Sequence, residues 1–196
     1  MTKKEIIWRE ILISASQNKK RKFTQKELAQ KFHFSLSTVF NSLKTPRKIQ
    51  AIEAGGRNFI LRDPEKLLYL WAVQRNLDKD ILYQTRVEKS VLEIEGLMPN
   101  SIIYGLYSAF RKRIQTLPAD YDKVYVYIPE KNLKEIQERF PEKKGYPNLI
   151  VLAADQFLKN YGQIAPLVQI YVDLWNVSEW YAKDYLAAIK EKLDLF

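Results

Sequence analysis

Cysteine is absent from the 196 residues and histidine occurs once, as His33. The first absence excludes disulfide scaffolds, iron–sulfur centres, thiolate zinc sites and a cysteine nucleophile. The second argues against a Ser-His-Asp triad and a histidine-rich metal site, and one imidazole cannot hold a metal alone. No apolar run approaches the ~18–20 residues of a membrane span. The opening stretch carries Glu5 and Glu10 where a secretory signal needs an apolar core. The expectation is a soluble, cytoplasmic protein with no membrane partner. Glycine-rich phosphate loops are missing too. Gly55-Gly56 stands isolated, without the Gly-x-x-x-x-Gly-Lys frame.

Acidic residues are scarce in the first third. Residues 1–62 hold 14 Lys and Arg against 4 Glu, a net of +10, whereas residues 63–196 hold 18 against 19, a net of −1. The whole formal excess of +9 therefore sits in one segment. Such asymmetry points to a polyanion-binding module joined to a neutral one, and nucleic acid is the favoured partner over a merely solvated face. Hydrophobic residues at 46% and aromatics at 13% are enough for a packed core, which excludes global disorder.

Residues 4–16 read as a helix, with Ile6, Ile7, Ile11, Leu12 and Ala15 at helical spacing. After the basic stretch 19–22, Thr24 and Glu27 form a capping box, flanked by Phe23 and Leu28 as a hydrophobic staple. The helix they open runs to about Phe32. Ser35 caps a third helix from Leu36 to Lys44, in which Leu36, Val39, Phe40 and Leu43 form the inward face and Pro46 the stop. Two strand-like runs then flank Gly55-Gly56, which can take the positive φ of a tight hairpin. Three helices and a basic-tipped hairpin predict a winged helix-turn-helix over residues 1–80.

Asp63-Pro64 opens a further helix to about Asn76, and Leu77–Val87 reads as a linker or crossover. Residues 81–196 alternate: helix 88–97, a short strand or helix start at 102–106, strand 124–128, helix 132–140, strand 148–152, strand 168–172, and a last helix from Ser178 to Leu193 with Trp180, Tyr181, Leu186 and Ile189 as its apolar positions. Alternation argues for a C-terminal α/β domain, and the fold class expected is α+β overall.

The polar face of helix 36–44 is the main candidate for base contact, because the second helix of a helix-turn-helix enters the major groove. Asn41 suits an adenine edge, and Ser37 and Thr38 suit bases or phosphates. Lys44, Arg47 and Lys48 follow and would meet the backbone. Arg57 and Asn58 sit at the hairpin tip, where they can reach a minor groove or phosphate or remain a solvated turn. Arg111-Lys112-Arg113 reads as a solvated helix face rather than a phosphate site. Asp173, Asp155 and Asp184 show no spacing that aims two carboxylates one way from one strand, so no catalytic, metal or cofactor site is expected, and Asp173 reads as a cap or turn residue before the last helix.

The segment Ile164-Ala165-Pro166-Leu167-Val168-Gln169-Ile170-Tyr171-Val172-Asp173-Leu174-Trp175-Asn176, with Ala182 and Leu186 beyond it, resembles the end of AbiEi-type antitoxins, where a Pro-x-Gln-x-Tyr-x-Asp-Leu pattern recurs. Here one extra residue, Val168, precedes Gln169. The order of the 124–127 and 148–152 runs, and Leu67, Leu68 and Trp71-Ala72 after the winged helix, extend the resemblance over most of the chain. It implies the antitoxin half of a type IV toxin–antitoxin pair linked to abortive infection. The winged helix would bind operator DNA and repress its own operon, and the toxin partner need not be touched directly. The competing expectation is a nucleic-acid-processing enzyme with a nuclease-like or nucleotidyltransferase-like C-terminal domain. The absent catalytic frame favours a regulator that is not an enzyme.

Overall fold

The computed structural model describes residues 1–193, a mixed α+β chain with two small sheets. It divides into two compact units, residues 1–75 together with those from Lys190, and residues 76–189.

In the first unit α1 (Lys3–Asn18) is the central rod, buried without a break from Glu5 to Ala15. Its start is fixed by a capping box of Thr2 and Glu5, and its Trp8 indole donates to the Ser42 carbonyl at 2.9 Å. The basic stretch ends in a strand the sequence did not announce, β1 (Lys22–Phe23). α2 (Gln25–Phe32) is capped by Thr24, which accepts from the Glu27 amide at 3.0 Å. The reciprocal half of that box is not made: Glu27 pairs with Lys20 instead, at 2.8 Å. α3 (Leu36–Ser42) is followed at once by α4 (Lys44–Lys48). Pro46 therefore sits inside a helix rather than ending one, in a first turn whose amides have no intrahelical acceptor to lose.

β2 (Ile52–Ala54) and β3 (Phe59–Leu61) form an antiparallel hairpin, and β1 adds to β3 on its other side, giving the order β1-β3-β2. Neither Gly55 nor Gly56 takes the positive φ expected of them. Four residues span the turn, so no mirror-image two-residue geometry is needed. Gly55 is required for another reason. Its amide donates to the Asn58 carbonyl at 2.7 Å, and a Cβ there would lie 2.9 Å from that oxygen. α5 (Pro64–Gln74), capped by Asp63, packs with α3 on α1 and buries Leu67, Leu68 and Trp71.

The second unit replaces the expected linker with structure: a short 3-10 turn and β4 (Ile81–Thr85). α6 (Val91–Gly96) has a capping box of Ser90 and Glu93. β5 (Ile103–Tyr104) and α7 (Leu106–Ile114) follow, so the segment left open between strand and helix contains both. β6 (Val124–Ile128), α8 (Leu133–Arg139) and β7 (Leu149–Ala153) make one parallel crossover. β4 flanks β7 and β5 flanks β6, both antiparallel, so the sheet of order β4-β7-β6-β5 is mixed rather than an all-parallel α/β layer.

Successive side chains of β6 point to opposite faces. Val124, Val126 and Ile128 join Leu149, Val151, Ile94, Ile136 and Phe140 in one core. Tyr125 and Tyr127 turn the other way.

The predicted strand 168–172 is a helix, α9 (Leu167–Leu174). All residues from Val168 to Leu174 are buried, Gln169 and Asp173 included, so the polar pair four residues apart that marks its helical period does not face solvent. α10 (Ala182–Lys192) starts four residues later than Ser178, and Trp180 is 74% exposed instead of buried.

Candidate nucleic-acid interface

α2 ends at His33, which takes the left-handed conformation (φ 53°) and donates its amide to the last carbonyls of the helix. Ser35 then caps α3. Its hydroxyl accepts from the Thr38 amide at 3.1 Å and also meets the hydroxyls of Ser37, at 3.0 Å, and Thr38, at 2.9 Å. Ser37 and Thr38 are thus drawn into the cap cluster. Asn41, one turn on, is exposed, and no group among the described residues bonds its amide.

The inward face of α3 differs from expectation. Val39 and Leu43 are fully buried, but Leu36 is 56% and Phe40 44% exposed. In a helix of seven residues packed on both α1 and α2, Val39, Ser42 and Leu43 complete the contact. Leu36 and Phe40 stand instead beside Ser37 and Asn41. The Lys44 ammonium lies 5.6 Å from the Phe40 ring centroid, and the Arg47 guanidinium 5.0 Å. Nε of Arg47 is shut from solvent with no hydrogen-bond partner, so stacking on Phe40 is what orients this side chain. Lys48 is exposed at the end of α4.

All four glutamates of residues 1–62 have cations elsewhere: Glu27 with Lys20 at 2.8 Å, Glu10 with Lys31 at 2.5 Å, Glu53 with Arg62 at 2.5 Å, and Glu5 with Arg75 at 3.8 Å. The Arg62 hydrogen bond and charge hold the Glu53 carboxyl below its ordinary pKa. Among the described residues no carboxylate pairs with Lys44, Arg47, Lys48 or Arg57. At the hairpin Arg57 is exposed, whereas Asn58 is half-buried and closes the turn through its carbonyl. The sequence reading of Arg57 as a tip residue stands in geometry. Asn58 has a structural task.

The second unit's polar groups mostly satisfy one another. Arg111-Lys112-Arg113 is a solvated face only in part: Lys112 and Arg113 are exposed, but Arg111 pairs with buried Glu95, Lys112 lies 4.2 Å from the Tyr104 ring centroid, and Arg113 donates to the carbonyls of Ile164 and Ala165, both at 2.8 Å.

Asp173 is fully buried inside α9, where it accepts from the Tyr127 hydroxyl at 2.5 Å; it is not a terminal cap. Asp155 bonds the Phe157 amide at 3.1 Å, and Asp184 lies on α10. Among the described residues no three acidic or histidine side chains gather as a metal site would require.

A cleft of about 630 Å³ is lined by Lys123, Tyr125, Tyr146, Trp175 and Glu179. Its Glu179 carboxylate takes Lys123 and, at 3.1 Å each, the hydroxyls of Tyr107 and Tyr125. Burial lowers the Lys123 pKa, and the hydrogen bonds and charge of Glu179 more than offset this, so the ammonium is held charged. Lys123 and Glu179 are therefore spent on each other.

No family model, no curated protein and no solved structure matches this chain. No helix among the described residues is long and apolar enough to cross a membrane. The residues that sequence reasoning missed are Leu36 and Phe40. Their i, i+4 spacing imitates a core stripe, but the run Phe40, Lys44, Arg47, at i, i+4 and i+7, puts two cations on the same face as the ring.

Proposed function

We propose that this chain is a DNA-binding transcriptional regulator of winged helix-turn-helix build. α3 enters the major groove, the start of α4 meets the phosphates, and the β2–β3 hairpin is the wing. The observation that carries the reading is the charge of the surface around α3. Residues 1–62 hold a net +10, and Lys44, Arg47 and Lys48, none of them with a carboxylate partner, follow directly on a helix that offers an unbonded Asn41 amide, with exposed Arg57 in the hairpin turn. Phosphate neutralisation supplies affinity, and a carboxamide at a base edge supplies sequence selection.

The resemblance to AbiEi-type antitoxins extends the proposal. The operator would lie in the chain's own operon, and the second unit would serve antitoxin action without needing to touch the toxin and without catalysis of its own. The test is selection of duplexes from a random pool by the full chain, followed by footprinting. The expected result is one protected sequence whose affinity falls steeply with salt. Recovery of no preferred duplex would reject it.

A further inference from the structure

Four side chains of α3 face outward in a row: Leu36, Ser37, Phe40 and Asn41. Two are polar, and one of these, Ser37, is tied to the cap hydroxyl of Ser35. Two are apolar and substantially exposed, Leu36 at 56% and Phe40 at 44%. Exposed apolar side chains taken singly need no explanation. Here they sit one turn apart beneath two cations and next to the candidate base-reading amide. The surroundings carry positive charge, so the occupant of this face is a polyanion rather than an apolar protein surface.

Among the base edges of a DNA major groove only thymine presents a methyl group, at C5. We infer that Phe40, with Leu36 beside it, is a specificity-determining residue that packs on thymine methyl groups, so that α3 reads A·T pairs through a methyl contact next to the Asn41–adenine bond. Phe40 has a second task in the same place: its ring carries the Arg47 guanidinium, whose approach to the backbone it sets. This inference rests on the proposed DNA-binding function and adds which bases are read and by what.

Uracil in place of thymine removes the methyl and leaves every hydrogen-bonding group of the pair unchanged. The full chain is titrated against its selected duplex and against the same duplex carrying deoxyuridine at single thymine positions. Loss of one buried methyl weakens binding about fourfold, from roughly 0.8 kcal/mol per group. The expected result is such a loss at one or two positions in the protected half-site. Phe40→Leu keeps it, because an apolar contact remains, and Phe40→Ala abolishes the difference between thymine and uracil. Phe40 is exposed enough for both variants to fold, which circular dichroism checks.

Equal affinity for thymine and uracil duplexes, a selected site with no A·T pair under α3, or discrimination that survives Phe40→Ala would each overturn the inference while leaving the DNA-binding reading in place. Failure to select or bind any duplex at low salt would instead reject the functional reading itself, and this inference with it.

Discussion

The Tyr127 hydroxyl and the Asp173 carboxylate meet at 2.5 Å between β6 and α9, and both side chains are sealed from water. A buried carboxylate is tolerated only when donors reach it. Tyr127→Phe removes one donor and no volume, so it should lower unfolding free energy by about 1–3 kcal/mol, measured by urea denaturation of the full chain. DNA affinity should not change. The opposite pattern belongs to Asn41, which is exposed and bonds no described residue. Asn41→Ala should leave stability within about 0.5 kcal/mol of wild type. It should weaken the selected duplex by about 1–3 kcal/mol and random DNA by much less. Equal losses on both duplexes would show that Asn41 only positions the helix.

Among the elements, helix starts were the most legible. Thr24, Ser35 and Asp63 each accept from the amide three residues on, as the sequence pattern predicts, because capping is decided within four residues. In α9 the apolar, largely β-branched run 168–172 suggests a strand, and the contrary signal, polar Gln169 and Asp173 four residues apart, is only two residues long and is itself buried. α3 was misread in orientation. Leu36 and Phe40 fit a helical stripe, but which stripe meets the core depends on where α1 and α2 lie, and spacing carries no such information. The charge of the candidate site was legible for the opposite reason: composition alone locates it.

α7 shows the same limit: within Arg111-Lys112-Arg113, Lys112 and Arg113 are exposed as the sequence suggests, but spacing cannot show that Arg111 meets buried Glu95. Arg111→Met should destabilise the chain by about 2–3 kcal/mol, because Glu95 is left buried with its main cation gone. It should leave the salt dependence of DNA binding untouched. A weaker salt slope in this variant, with stability intact, would assign Arg111 to the DNA surface instead.

At the scale of the molecule the two units differ in what pH and salt do to them. In the second unit Tyr107, Tyr121, Tyr125, Tyr181 and Tyr185 all have pKa values raised, first by burial and then by neighbouring carboxylates. A raised folded-state pKa means that the neutral phenol is the form that folds. Its stability is fully present below the unfolded value of about 10 and is lost as pH climbs above it. Thermal melts between pH 8 and 11 should therefore fall only above about pH 10. Phenolate absorbance from these five rings should appear with unfolding rather than before it. A phenolate signal at full native ellipticity larger than the chain's seven other tyrosines can give would contradict the buried cluster.

The first unit is discontinuous. Lys190 reaches Glu65 and the Tyr69 hydroxyl, both at 2.9 Å, and Leu193 is buried, so a fragment stopping at residue 80 lacks groups that belong to it. Binding is for that reason best measured on the full chain. The most direct test is the salt dependence of its affinity for duplex DNA, with Lys48→Ala alongside. If roughly six phosphates are neutralised, log K falls against log salt with a slope of about −5, and Lys48→Ala lowers the slope by about 1. An affinity that ignores salt, or no binding at low salt, would contradict a DNA-binding role for the basic unit.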